Sequence, residues 1–229
     1  MITLTKHPIV DSRRSSIPLT RRLRRRLSSL GFSTPRLLRG SRLDEPLDSP
    51  IVRTERLVIR PHRLSDADAW HQMQSDEGVT RFLSWPLRNR AESLQHLKDR
   101  TQHTVLAQAD DLLALAIERD GTLVGDLSVH LRTVHPDFRS AEIGWILGSA
   151  HGGAGLATEA VCAVIDMLFD RIDARWVFAV VDERNAKSMA LATRLGFTVV
   201  NRDGPLVTMM VTPDTSVACT HRVDRRLSA

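Results

Sequence analysis

Ala141-Glu142-Ile143-Gly144-Trp145-Ile146-Leu147, then Gly152-Gly153-Ala154-Gly155, then Leu156-Ala157-Thr158-Glu159-Ala160 form the stretch on which the fold turns. The first seven residues predict a strand. From Leu156 to Asp170, apolar side chains at 157, 160, 161, 164 and 168 share one face at i, i+3, i+4 spacing and predict a helix. A helix start exposes unpaired N–H groups and a partial positive charge. Glycines just before it let the backbone approach an anion closely, so the turn reads as a diphosphate cradle. A tight turn needs glycine whatever it binds, so Gly-x-Gly alone leaves both readings open.

The elements on either side extend the pattern. Arg175 to Val181 is a nearly continuous apolar run, which predicts a central strand buried on both faces. Asn185 to Leu195 predicts a helix stopped by Gly196, and Thr198 to Asn201, Leu206 to Thr212 and Cys219 to Leu227 read as closing strands. Upstream, Leu112 to Glu118 and Thr122 to Leu131 flank Asp120-Gly121, a hairpin signal. Arg56 to Arg60 alternates as a strand does. Leu64 to Asp68 supplies an N-cap and acidic first turn for a helix carrying Ala69, Trp70 and Met73. Ala91 to Thr101 predicts a second helix with Leu94 and Leu97 turned inward. The order β-α-α-β-β-β-α-β-α-β-β predicts an α/β domain of mixed sheet without internal repeats.

Charge divides the chain. Lys6 and ten arginines stand against Asp11 in residues 1–43, so this stretch carries +10 while residues 44–229 carry −5 of the net +5. The predicted organisation is therefore a basic arm over residues 1–50 and a mildly acidic domain over 51–229, the latter suited to a cationic or amine substrate. The arm has too little apolar surface to offset the entropy of ordering, which predicts disorder. Its composition also fits a transit peptide, a basic helix touching RNA, the ribosome or an acidic membrane, or a start codon set too early. No run of eighteen apolar residues is present and Met1 to Val10 lacks a secretory-signal pattern, so the expectation is a cytoplasmic protein. Cys162 and Cys219 have no motif spacing; Cys162 reads as a small buried filler and a disulfide framework is not expected.

The motifs together resemble the GNAT superfamily of N-acetyltransferases, in its ribosomal-protein-alanine acetyltransferase-like (RimJ/RimL-like) branch. They are Glu142-Ile143-Gly144-Trp145, Gly153 through Ala160, Asn185-Ala186-Lys187-Ser188 and Leu195-Gly196-Phe197. Arg56 to Arg60 and Val79 to Pro86, with Ser84-Trp85-Pro86 leaning towards protein α-amines, resemble the family's first strand and acceptor-side loop. The resemblance covers roughly residues 51–229. It implies a central sheet splayed between the fourth and fifth strands, with acetyl-CoA in the gap. Backbone at Ile146 and Leu147 would pair with the pantetheine arm. The amides of Gly153, Ala154, Gly155, Leu156, Ala157 and Thr158 would hold the pyrophosphate, and Asn185 would fix the arm unless it is simply a helix cap.

Acetyl transfer needs a neutral amine, so the site must accept a proton and return one to the departing thiolate. Glu142 matches the family's glutamate base; the plain alternative is a carboxylate paired with an arginine. The tyrosine that many members use as acid has no counterpart, since the chain has no tyrosine. Ser188 is the remaining candidate acid, and Asp203 matches poorly as a second base. The implied activity moves an acetyl group from acetyl-CoA to a primary amine, on a protein N-terminus or a small molecule, by direct transfer. A non-catalytic acyl-CoA-binding module and a ribosome- or RNA-associated protein acting through its basic arm are the competing readings. Nine histidines without metal-ligand spacing give no reason to expect a metal, and a P-loop is excluded because no lysine follows the glycines.

Overall fold

The computed structural model describes residues 40–83 and 87–217. Two sheets are present among them. β1 (Arg42–Asp48) pairs antiparallel with β4 (Val105–Gln108). The main sheet has eight strands, in the order β2 (Val52–Arg53), β3 (Val58–Pro61), β5 (Leu112–Arg119), β6 (Thr122–Thr133), β7 (Ser140–Leu147), β8 (Trp176–Asp182), β10 (Leu206–Val211) and β9 (Thr198–Asp203). Every neighbouring pair is antiparallel except β7 and β8. A mixed sheet of this kind, flanked by helices, is the α/β architecture the sequence predicts.

Alternation on β8 and β10 turns one side of each strand into the core, while β5 is buried almost throughout. On β8, Val177, Ala179 and Val181 are buried with Ile143 of β7 and Val207 of β10, beneath the long helix α4 (Leu156–Ile172). α4 contributes Leu156, Ala160, Val161, Val164, Ile165 and Leu168 to that contact, and α5 (Ala186–Arg194) adds Leu191 and Ala192. Among the described residues, the opposite face is covered over its β5–β6 half. There α1 (Ala67–Gln74) and α3 (Arg90–Arg100) bury Trp70, Met73 and Leu97 against Ala116 and Leu123. α2 (Glu77–Thr80) is a single turn between them.

Polar groups under α1 and α3 are buried in a matched network. Arg60 donates to Asp66 at 2.7 and 2.9 Å and to Glu118 at 2.6 Å. The ring Nε2 of His62 lies 2.8 Å from Asp126, which also pairs with Arg100. Burial alone would raise the Asp66 carboxyl, but the Arg60 hydrogen bonds and the Arg63 amide hold it below its ordinary value. Removing one partner would strand a buried charge, so the network fixes where α1 enters the fold.

Several sequence expectations are corrected here. Asp66 does not cap α1 with its side chain; it turns inward to Arg60. Leu94 is 38% exposed, and the buried face of α3 is instead Ser93, Leu97 and Arg100, at i, i+4 and i+7. The boundary at residue 50 lies too late, because β1 begins at Arg42 and buries Leu43 and Leu47. Cys162 is buried, the place expected of a small filler. Cys219, the closing strand expected over 219–227, the Ser84-Trp85-Pro86 loop and arm residues 1–39 lie outside the described residues. Among the described residues no helix is long and apolar enough to cross a membrane.

Candidate active site

β7 and β8 are partners only at Ser140–Trp176, Ala141–Val177 and Glu142–Phe178. Beyond that point they part, while β7 stays paired to β6 through Leu147 and β8 stays paired to β10 through Asp182. The strands therefore open a wedge with backbone N–H and C=O groups unpaired along its two edges. Ile146 and Leu147 lie on the β7 edge, where the sequence places them.

The wedge leads to the glycine turn. Gly148 donates its amide to Val124, a short 3-10 turn follows at Ser149–His151, and α4 begins at Leu156. Gly153 and Gly155 have φ of +84° and +77°, a region that favours glycine. Gly155 is the N-cap of α4 and supplies no side-chain cap. The amides of the first turn, over Leu156, Ala157 and Thr158, thus keep their donors and the positive end of the helix dipole for an external anion. A Cβ on Gly153 would meet nothing within 4 Å, so the turn is open on the side where a phosphate would approach.

A buttress holds this turn from behind. Glu159 is buried in the first turn of α4. It accepts from the Thr54 hydroxyl at 2.6 Å, the Arg56 amide at 2.9 Å and the Arg56 guanidinium at 2.7 Å. The same guanidinium donates to the Ala154 carbonyl at 2.8 Å. Burial alone would raise the Glu159 carboxyl, yet these donors hold it below its ordinary value. With the Ala154 oxygen engaged behind the turn, the amide donors are left to face outward. A second tie joins the turn to the acceptor-side segment, where the Ser149 hydroxyl donates to Asp76, the N-cap of α2.

Asn185 is the N-cap of α5 and accepts the Ser188 amide at 3.1 Å, so it has the cap role whatever else it holds. Ser188 is half-buried in the first turn of that helix, and no hydrogen bond joins its hydroxyl to Glu142. Arg194 lies 3.5 Å from the Thr158 hydroxyl and adds a cation beside the cradle that the motif did not mark.

Glu142 projects from β7 onto the face that α1 and α3 partly cover. Arg132 grips it at 2.6 and 3.1 Å, the arginine pairing that the sequence left open as the alternative to a base. His130 stands directly opposite Glu142 on β6. Burial, with Arg132 close by, pushes the His130 ring below its ordinary 6.5, so the imidazole is neutral at neutral pH. Sequence reading found no partner for His130; only the β6–β7 register supplies one. Gly144, two residues on, faces Ser128, whose hydroxyl would sit 2.8 Å from a Cβ there and would have to turn away. Asp203 lies exposed on β9, two strands beyond β8, and has no place beside this pair.

The model of the acetyltransferase (GNAT) domain family matches residues 56–198. An uncharacterized N-acetyltransferase p20 of Bacillus licheniformis is 30% identical over 145 residues, covering 63% of this chain and 80% of that protein. The spermidine N(1)-acetyltransferase of Escherichia coli K12 is 28% identical over 142 residues, covering 62% and 72%. The solved structure of Mycobacterium smegmatis RimJ in complex with CoA-disulfide shares the fold, with a TM-score of 0.58 and 21% identity over 76% of this chain and 91% of that one. With the parted strands, the glycine turn and the matched family model in agreement, the chain belongs to the GNAT family of N-acetyltransferases.

Proposed function

We propose that the protein transfers an acetyl group from acetyl-CoA directly to a primary amine, on a small molecule or a protein N-terminus, with both substrates bound together. The observation that carries this reading is the wedge between β7 and β8, which opens immediately beyond Glu142 and ends at an uncapped helix N-terminus. A pantetheine chain laid along Ile146 and Leu147 pairs with the free β7 edge, and the amides from Gly153 to Thr158 take the pyrophosphate. Asn185, capping α5 on the far side of the wedge, borders the same chain.

Acetyl-CoA supplies a thioester whose carbonyl carbon is the electrophile. The amine arrives protonated and loses one proton to Glu142 or to the neutral His130 beside it. Its lone pair then forms the new N–C bond as the C–S bond breaks, and the second proton, shed by the acylated nitrogen, passes through Ser188 or water to the departing thiolate. Arg132 holds the Glu142 carboxylate in place and keeps it from turning away from the amine. The test is thiol release from acetyl-CoA by purified protein with a panel of amines, with the products read by mass spectrometry. Binding of acetyl-CoA without acetylation of any amine would reduce the protein to an acyl-CoA-binding module.

A further inference from the structure

The face that bears Glu142 is covered over β5 and β6 by α1 and α3, so an amine at Glu142 must carry the rest of its molecule the other way, over β8 and β10. That half is apolar. Along β8 the side chains of Trp176, Phe178 and Val180 alternate with the buried Val177, Ala179 and Val181 and therefore point onto this face. Val180 is 45% exposed and Leu206, diagonal to it on β10, 46%. At the other end Phe138, 51% exposed, stacks on Trp176 with centroids 6.3 Å apart and planes 17° from parallel. The three β8 side chains span about 13 Å at the usual rise per residue.

The charges on the β6–β8 part of this face are already matched. The three carboxylates that β6, β7 and β8 turn to it each have an arginine: Asp126 with Arg100, Glu142 with Arg132, and Asp182 with Arg184. None of these three is left to receive the second or third cation of a polyamine, and the other carboxylate on this face, Asp203 opposite Leu206, lies out on the edge strand β9. Nor does β8 offer a backbone edge for a peptide to join, since one side is paired to β10 and the other faces the acetyl-CoA wedge. Recognition here falls to apolar contact.

We propose that the acceptor is a small monoamine on an aromatic or apolar body, which lies along Phe138, Trp176, Phe178 and Val180 while its nitrogen reaches Glu142. The inference rests on the acetyl-transfer reading above and specifies its substrate class. Each apolar group that the strip accommodates discriminates by roughly tenfold or more in kcat/KM.

The experiment compares tryptamine, spermidine and a hydrophilic alanine-initiated peptide as acceptors, using the full chain and its Phe138→Ser and Val180→Asp variants. Tryptamine should exceed both other acceptors by about tenfold or more in kcat/KM. Each variant should lose about that factor on tryptamine, mainly through its KM, while the KM for acetyl-CoA stays unchanged. Val180→Asp should at the same time gain on spermidine. A preference for spermidine or the peptide, or tryptamine turnover indifferent to both substitutions, overturns the substrate class and leaves acetyl transfer standing. No transfer to any amine, with acetyl-CoA still bound, removes the transfer reading and this one with it.

Discussion

Arg56 and Glu159, 103 residues apart in the chain, form a buried-to-surface clamp behind the glycine turn, with two guanidinium nitrogens 2.7 Å from Glu159 Oε2. The clamp reaches the glycine turn itself, because the third nitrogen of the same guanidinium holds the Ala154 carbonyl. Planar fork geometry allows one arginine to do both.

The clamp gives a first prediction. Arg56→Lys keeps the charge but cannot span both acceptors, so acetyl-CoA affinity should fall on the order of tenfold, the size of a charge-assisted hydrogen bond. The kcat at saturating acetyl-CoA should change little, since neither residue reaches Glu142. Calorimetric titration of the variant checks the affinity, and an unchanged dissociation constant would show that the turn stands without the clamp.

Glu159 also predicts a pH dependence. Its carboxyl is held below the ordinary 4.5 in the folded state, so its contribution is fully present above that pH and is lost as pH falls through the lower folded value. The stability gap between the native chain and Glu159→Gln should thus be wide at neutral pH and close only in acid, below 4.5. Urea unfolding at a series of pH values measures it. A gap already closing near pH 6 would contradict the assignment.

Gly153 and Gly121 offer a controlled comparison, since both sit at positive φ and a Cβ on either would meet nothing within 4 Å. Alanine at each should cost about 1–2 kcal/mol through the same left-handed strain. Only Gly153→Ala should weaken acetyl-CoA, because Gly121 lies in the β5–β6 hairpin. At a hundredfold excess over its dissociation constant acetyl-CoA adds about 2.7 kcal/mol to the stability of the native chain. Gly121→Ala should keep that gain in a thermal-shift assay and Gly153→Ala should lose most of it.

What the sequence made legible followed from period and spacing. The helix from Leu156 and the glycine turn are local patterns, and the structure places them as read; the apolar 175–181 run is a strand, but one buried on a single face and not on both, with Val180 45% exposed. What it hid depends on contacts between distant segments. Leu94 fits an apolar stripe by residue type, but the buried stripe of α3 is set by Ser93 and Arg100, which meet His71 and Asp126. β1 carries Asp44, Glu45 and Pro46 and shows little alternation; it is a strand because Leu43 and Leu47 find the core across from β4. The His130–Glu142 pairing and the Arg56–Glu159 clamp are matters of register and topology, for which one sequence has no signal.

The true start of the domain is open to a truncation test. A chain beginning at Gly40 keeps β1 and should retain acetyl-CoA affinity and turnover on a small amine. A chain beginning at Ile51 loses Leu43 and Leu47, each worth about 1.5–3 kcal/mol as a buried side chain, and should unfold at markedly lower urea. Equal stability of the two would show that the β1–β4 sheet contributes nothing to the fold.

The proton path is decided by Glu142 and His130 taken separately. Glu142→Gln removes a positioned acceptor and should lower kcat by about two orders of magnitude, the lower end of what positioned proton transfer contributes. Acetyl-CoA affinity should barely move, because the cradle uses backbone amides. The deficit should shrink as pH approaches the pKa of the amine, where free amine arrives without help. His130 tests the partner. Its folded pKa lies below 6.5, so the neutral ring is present at neutral pH and is lost as pH falls through that lower value. If His130 takes the proton, the acid limb of kcat/KM should lie below pH 6.5 and disappear in His130→Gln together with most of the rate. If Glu142 takes it, His130→Gln should keep most of its activity and the limb should persist. Near-normal kcat in both variants, with folding intact, would remove both residues from the proton path and leave the amine to lose its proton to solvent.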